Sequence, residues 1–483
     1  MTADSSSIRA GRGVGWGQHR FSSIRAIAVI IAVGVATFAL SRRHLIDDSY
    51  ITLSYARNLA ETGEWTLVAG LSANSATSPL NVMLLAGLTM ITGNAVTACG
   101  LLFVAACAGL YLSMVRLMPS GPALLATVAV VANPLTVSTV GMEVMLSAVT
   151  LAALAGIRDS AVAAGLFCGV IAIIRLDLVI IAAIIVCGQT WRERSVKRVL
   201  IIATTAAGVA APWYVWSWLQ FGSLLPDTLV LKTAERSWSG GWTFLSGPAF
   251  YLWHQPMATI GAFMLPLIAI IVFIRRRNLT RVGVWFFGAL IYSGVYCLLG
   301  VPPYHWYYAP FVVAATVYLI ATVSVRMAFW ITVIAVTMSV VSYVASGWDR
   351  QIAPISSNHA TSGEYQRISA DIRRLAPGSA IATAGEIGTL AYYCRCMVID
   401  DFSDRSRIAQ ELRDRRNRPS SIRNVWRLNY QHLDAALNAA PASPPARYRL
   451  VWSTTSTPEA VRSWPATSPT RGRGFLLLYA IPV

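Results

Sequence analysis

The strongest constraint on this chain is a succession of apolar runs, each close to the length that crosses a bilayer. A helix needs about 20 apolar residues to span the hydrocarbon layer. Candidate runs fall at 24–41, 78–93, 95–117, 121–139, 142–157, 160–188, 198–219, 256–274, 282–300, 308–325 and 327–345. Hydrocarbon leaves no partner for open backbone, so such runs must be helical. Composition agrees: 55% of residues are hydrophobic and 13% charged, where a soluble domain carries about 25% charge. The expected fold is a polytopic α-helical membrane protein with about eleven spans.

The net charge of +17 reads as a topology signal rather than a nucleic-acid footprint. The dense basic loops are Arg192-Glu-Arg-Ser-Val-Lys-Arg198 and Arg275-Arg-Arg-Asn-Leu-Thr-Arg281. With eleven spans and a cytoplasmic N-terminus, both loops and Arg326 fall on the cytoplasmic side. Arg9, Arg12, Arg20 and Arg25 precede the first run, which is read as a retained helix because many more spans follow. The expected layout is a cytoplasmic tail at 1–23 and a multi-span domain at 24–346 with outer loops at 42–77 and 220–255. An extracytoplasmic α/β domain follows at 347–483, so the chain is a multi-pass protein of the cell membrane.

Past residue 347 the apolar runs stop. A helix is expected near 362–375, a strand at 379–384, a helix at 386–393 and a strand at 396–400. Basic helical stretches follow over 404–440, then strands at 447–453 and 474–481. The Arg-rich part suits anionic lipid heads or an anionic glycan, or a solvated face balanced by Asp404, Glu411 and Asp414. Cys394 and Cys396 have no further Cys or His at zinc spacing and are expected as two thiols on a strand. No internal repeat suggests the inverted halves of a transporter.

Chemistry concentrates just outside the first span. Asp47 and Asp48 open a stretch with helical periodicity that places Asp47, Tyr50, Ser54, Asn58 and Glu61 on one side and Leu53, Ala56 and Ala60 opposite. Such a helix can lie along a membrane surface with its acids at the water boundary. Equally, acids before a helix cap its free N–H groups. Asp47, on the polar stripe, is favoured over Asp48 as the working acid. Lys232 and His305, on the other outer segments, could hold an anionic group. Within the apolar runs lie Glu143, Arg175 and Asp177. Arg175 and Asp177, two apart, do not face each other on a helix, so Glu143 with Arg175 is the expected pair. The span count puts Glu143 near the inner face and Arg175 and Asp177 mid-span.

Several segments resemble GT-C-type membrane glycosyltransferases, closest to the actinobacterial arabinofuranosyltransferase-like branch. They are Ile46-Asp-Asp-Ser-Tyr-Ile-Thr-Leu-Ser-Tyr-Ala-Arg-Asn-Leu59, Thr77-Ser-Pro-Leu80, Gly141-Met-Glu143, Arg175-Leu-Asp177 and Phe221-Gly-Ser-Leu-Leu-Pro-Asp-Thr-Leu-Val-Leu-Lys232. Gly385-Glu-Ile-Gly388 with Val398-Ile-Asp-Asp401 completes the order. The chain departs from the pattern at Leu53-Ser54, where the family often has Phe-Arg, and at Asp227, where it has Asn. The resemblance implies inverting transfer of a sugar, arabinose or mannose, from a polyprenyl-phosphate donor to a cell-envelope glycan or glycolipid on the outer face. It implies Asp47 or Asp48 as catalytic base and Lys232, His305 and Arg57 at the donor phosphate. Tyr50, Tyr55, Asn58, Glu143 and Tyr304 are the candidate substrate-binding residues. No cofactor is assigned and no metal ligands are named, and a divalent cation held by the acid pair is left open; the polyprenyl-phosphate sugar counts as substrate, and no nucleic-acid partner is expected. The alternatives are a transporter or flippase of lipid-linked sugar, and a catalytically inactive scaffold of the same fold.

Overall fold

The computed structural model describes residues 15–191, 194–346, 351–383, 385–440 and 443–482. Residues 1–14 of the basic tail, with Arg9 and Arg12, and Arg192 and Glu193 of the first basic loop lie outside them. The apolar part forms helices α1 (Gly15–Ser41), α2 (Asp47–Thr62), α3 (Pro79–Thr92), α4 (Ala95–Met114), α5 (Ser120–Val131) and α6 (Pro134–Ser138). Next come α7 (Val144–Gly156), α8 (Ala161–Ile174), α9 (Val179–Thr190), α10 (Val196–Phe221), α11 (Asp227–Ala234) and α12 (Gly247–His254). The last are α13 (Pro256–Arg276), α14 (Arg281–Leu299), α15 (Ala309–Thr322) and α16 (Val325–Ser346). Six of them, α1 from Ile24, α4, α10, α13, α14 and α16, are long and apolar enough to cross a membrane.

Contacts between helices fix their directions. α1 and α4 are antiparallel, with Gly34 against Cys107 and Gly100 against Phe38. α4 and α7 are parallel, with Gly109 against Val149 and Gly156 against Arg116. α8 and α10 are parallel, through Gly165 on Thr205 and Gly169 on Val209. Between them α9 runs back, antiparallel to α14, with Gly188 on Val284 and Ile181 on Gly288. One end of the bundle therefore carries α2, α11 and the C-terminal region, and is called the domain face below. The far end collects the turns after α4, α7, α9, α13 and α15. It is tied by Gln189 Nε2 to the Leu154 carbonyl (2.8 Å) and Arg198 to the Arg158 carbonyl (2.7 Å). Arg116, Arg158, Lys197, Arg198, Arg275, Arg276, Arg277, Arg281 and Arg326 all cluster towards that far end.

Two expected spans differ. α3 has 14 residues, about 21 Å at 1.5 Å per residue, and packs along α2. α4 starts on the domain face, so α3 begins and ends there and crosses nothing. Gly93 in the left-handed region stops it, and Asn94 caps α4 by accepting from the Thr97 N–H (2.9 Å). The run 160–188 is broken at Arg175, whose backbone is extended (φ −161°, ψ 120°), and a 3₁₀ turn at Leu176–Leu178 reverses the chain. The run 78–93 is thus a short helix with both ends on the domain face, and the run 160–188 is a helical hairpin. Between these two errors the ends of the helices exchange faces, which moves Glu143 from the expected inner side to the domain face.

α2 does not lie on a surface with one wet side. Asp47, Tyr50, Ser54 and Asn58 are buried, and so are Leu53 and Ala56. The helix is enclosed by α3, α4 and the C-terminal region, which explains why both its faces carry small or hydrogen-bonding residues.

The C-terminal region holds α17 (Ser362–Leu375), β1 (Ala380–Ala382), α18 (Gly388–Cys394), β2 (Met397–Ile399), α19 (Ala409–Asn417), α20 (Arg423–Asn429) and α21 (Leu433–Ala439). Strands β3 (Tyr448–Ser453), β4 (Arg462–Ser468) and β5 (Gly472–Ala480) complete a five-stranded sheet in the order β2-β1-β3-β5-β4. β1 runs parallel to β2 and β3, and the last three strands are antiparallel. β4 was not among the expected strands; it contains Pro465, and as an edge strand it can lack one donor. Thr361 and Glu364 form a capping box on α17. Cys394 and Cys396 are joined as a disulfide rather than standing as free thiols. The sheet core of Ile381, Val398, Leu450 and Leu478 also takes Leu67 and Leu71 from the α2–α3 connection and Val82 from α3, so sheet and bundle share one apolar cluster.

Candidate functional site

Asp47 and Asp48 begin α2 side by side and face opposite ways. Asp47 is enclosed. Its Oδ2 accepts the N–H groups of Ile387 (3.1 Å) and Gly388 (3.0 Å), and its Oδ1 accepts that of Thr389 (2.7 Å). Asp47 thus caps the start of α18, where free N–H groups and the helix dipole favour an anion. Gly388 fits because a Cβ there would stand 2.1 Å from the Asp47 carbonyl oxygen. This accounts for the Gly385-Glu-Ile-Gly388 segment as a docking element. Burial pushes the Asp47 carboxyl above its ordinary pKa, opposed by the Thr389 N–H.

Asp48 turns to the open side, with 29% of its side chain exposed, and meets Lys232 Nζ at 3.5 Å. α11 delivers Lys232 from across the domain face. The ammonium lies 4.3 Å from the ring centre of Tyr304, 4.8 Å from that of Trp306 and 5.9 Å from that of Tyr307. Ring faces attract a cation, most strongly where water is excluded. Burial opposes the charge of Lys232, but Tyr307, Asp48 and Glu143 favour it, and its pKa lies above the ordinary lysine value. The box forms because Tyr304 caps, and Tyr307 lies within, a 3₁₀ turn at His305–Tyr308, where positions three apart share a side. Tyr304 is held by its hydroxyl on Glu235 Oε2 (3.2 Å).

Behind Tyr307 lies a second charged cluster, built by the hairpin turn. Arg175 bonds Asp177 through Nε (3.0 Å) and Nη2 (2.5 Å), the Glu143 carboxylate at 3.2 Å and the Tyr292 hydroxyl at 2.9 Å. The expected Glu143–Arg175 pair is present. Arg175 and Asp177 also pair, because the chain between them is not helical. The Arg175 guanidinium sits 5.4 Å from the ring centre of Tyr307, so one tyrosine separates the two cations. Glu143 reaches the site because Gly141, at φ +95°, lets the chain turn against Ser49.

The other expected site residues have different surroundings. The Tyr50 hydroxyl meets those of Ser362 (3.0 Å) and Tyr393 (2.8 Å). Tyr55 bonds Ser75 (2.9 Å), and Asn58 pins the carbonyls of Thr66 and Leu67 (2.9 and 3.2 Å). Arg57 donates to the Tyr392 carbonyl at 2.5 Å and lies over that ring. These four hold α2 against its neighbours, away from the Lys232 box. His305 is 1% exposed, and among the described residues neither ring nitrogen has a partner. Burial pushes its imidazole down to about 3, so it is neutral and carries no charge for a phosphate. Trp306, Tyr307 and Glu235 were not singled out from the sequence, although the aromatic run around Tyr304 signalled the box.

The acids do not fit a metal. Three N–H groups occupy the Asp47 oxygens and Asp48 faces an ammonium, so their lone pairs do not converge on a common point. Among the described residues no group of three or more His, Cys, Asp or Glu side chains is placed to hold an ion.

The helical bundle, with an acid and a cation at its domain face and a small α/β region closing it, shares its fold with a solved structure. The solved structure of ArnT from Cupriavidus metallidurans, bound to undecaprenyl phosphate, superposes with a TM-score of 0.53 over 96% of this chain and 98% of that one, at 12% identity. An archaeal oligosaccharyltransferase, AglB from Archaeoglobus fulgidus, in complex with an inhibitory peptide and a dolichol phosphate, matches at 0.47 over 90% and 70%, with 10% identity. No known family profile matches the sequence, and no curated protein matches it.

Proposed function

We propose that this chain is a membrane glycosyltransferase that moves a sugar from a polyprenyl-phosphate donor to an acceptor hydroxyl, with inversion at the anomeric carbon. The observation that carries it is the Asp48–Lys232 pair, held at 3.5 Å in an aromatic box on the domain face. A half-exposed carboxylate beside a buried ammonium provides the two groups that displacement needs. The donor phosphate sits against Lys232 and competes for the charge that Asp48 neutralises in the free protein. Asp48, so released, accepts the proton of the acceptor hydroxyl as its oxygen bonds to the anomeric carbon. The bond from that carbon to the phosphate oxygen breaks, and the polyprenyl phosphate leaves with its new negative charge facing Lys232. Asp47 holds α18 against α2 and with it the orientation of Asp48. The bound lipid phosphate of ArnT supports this class of donor; arabinose and mannose are the first sugars to test, and an envelope glycan or glycolipid is the acceptor.

We read the membrane arrangement as eleven traverses: α1, α4, α5 with α6, α7, α8, α9, α10, α13, α14, α15 and α16, with the N-terminus cytoplasmic. The basic far end supports this, since short cytoplasmic loops collect Lys and Arg. It puts the Asp48–Lys232 pair on the outer surface, where a lipid-borne donor arrives.

The test is a lipid-linked glycan profile of cells lacking the protein. Glycans missing one terminal sugar, with the charged polyprenyl-phosphate sugar accumulating, are the expected result. Complete precursor held on the inner leaflet would instead identify a flippase and overturn the reading.

A further inference from the structure

The Arg-rich segment after β2 is not idle surface. A cleft of about 530 Å³ opens between α11 and α19, lined on one side by Val230, Thr233, Ala234 and Arg236 and on the other by Gln410, Glu411, Asp414, Arg415 and Arg418, with Arg407 at its edge. Its walls are fixed. Arg415 donates to the Thr233 hydroxyl (3.0 Å) and lies over the Trp426 ring at 4.8 Å, and Arg407 is paired with Asp401 (3.1 Å). Arg236 and Arg418, both exposed, have no ion-pair partner among the described residues.

We infer that this cleft binds an anionic saccharide segment of the acceptor; the inference rests on the glycosyl-transfer reading. The lining mixes functions in the way a substituted sugar needs. Guanidinia donate to a carboxylate or phosphate substituent, Glu411 and Asp414 accept from hydroxyls, and Val230 and Ala234 offer apolar contact for ring C–H faces. A bare anionic lipid surface would call for cations alone. α11 carries the cleft on one flank and Lys232 on the other.

The test uses the full-length protein in nanodiscs and three probes: a tetramer of galacturonic acid, neutral maltotetraose, and phosphatidylglycerol vesicles. The galacturonate tetramer is expected to bind at least tenfold more tightly than maltotetraose. Arg236→Glu with Arg418→Glu is expected to weaken it at least tenfold, Arg236→Gln with Arg418→Gln by an intermediate factor, and exposed Arg473→Glu, away from the cleft, not at all. Unchanged galacturonate binding in both double variants, or binding to the vesicles alone, would overturn the inference. The measurement needs no turnover. Saccharide binding that persists in a protein whose loss leaves the glycan profile intact would sink the transferase reading and leave the cleft standing; transfer without charge-dependent saccharide binding would do the reverse.

Discussion

At the scale of the residue, neighbours in sequence have opposite environments. Asp47 and Asp48 are adjacent and chemically equal, and helical periodicity placed only Asp47 on the polar stripe. The polar stripe that contains Asp47 turned out to face protein, because the groups it meets are backbone N–H donors some 340 residues later in the chain. Nothing local to α2 encodes that. Asp47→Asn loses one charged acceptor from a cap of three N–H groups. It is expected to cost about 1–3 kcal/mol of stability, seen as a lower Tm and faster proteolysis near Gly388, with transfer reduced in proportion to folded protein. Loss of transfer at an unchanged Tm would move the base to Asp47. Lys232, in contrast, was legible as a cation in an expected outer segment, and so was its rival His305. Both are buried; the rings and carboxylates around Lys232 separate it from His305, whose ring nitrogens have no partner among the described residues, and that company is a property of the assembled fold.

At the scale of the element, most helices were readable because long apolar runs leave few alternatives. The exceptions were lost to length. The run 78–93 looked like a span but folds as a short helix alongside α2, and 160–188 looked like one span but contains a charged turn. Arg175 and Asp177 were the signal for that turn: two charges in a run of apolar residues can be satisfied by breaking the helix so that they meet. The departure at Asp227 also finds its cause here. Arg405 pairs with it through Nε (2.7 Å) and Nη2 (3.0 Å), and also bonds the Phe221 carbonyl. This buried clasp ties the C-terminal region to the start of α11, five residues before Lys232. Arg405→Ala strands a buried carboxylate and is expected to cost about 3–5 kcal/mol; Asp227→Asn in the same chain should recover part of that, read as Tm. An equal loss in the single and double variants would show that the pair is not coupled.

The turn after β2 carries a pH dependence. Asp400 accepts the N–H groups of Phe402 and Ser403 (2.8 and 2.9 Å), and its other oxygen is buried without a partner among the described residues. Burial raises its carboxyl to about 7, with Asp401 and Asp47 adding to the effect. The folded state therefore keeps a proton that the unfolded chain has released, so this contribution to stability is present at low pH and is lost as pH rises through about 7. The Tm of the wild-type protein should fall between about pH 4 and pH 7 and level off above it, and Asp400→Asn should flatten that slope. A slope unchanged by the substitution would assign it to another group.

At the scale of the whole molecule, the basic loops give the same side for the termini whether the helices are counted from the sequence or from the fold. One span too many early and one too few later leave the parity of everything after α9 unchanged, so the 192–198 and 275–281 loops did not report either error. Only the intervening turns do. A cysteine introduced at Asp159 is expected to react from the cytoplasmic side, and one at Gln255, on the domain face, from outside. Labelling of position 159 from outside would restore 78–93 as a span and remove Glu143 from the site.

The central claim is that Asp48, opposite Lys232, is the base. The most direct measurement is single-turnover transfer from a polyprenyl-phosphate sugar by purified Asp48→Asn, beside wild type and Asp47→Asn, with folding checked by Tm. The account predicts that Asp48→Asn loses on the order of 10²–10⁴-fold in rate at a wild-type Tm. Asp48→Asn protein that transfers at near wild-type rate would contradict it.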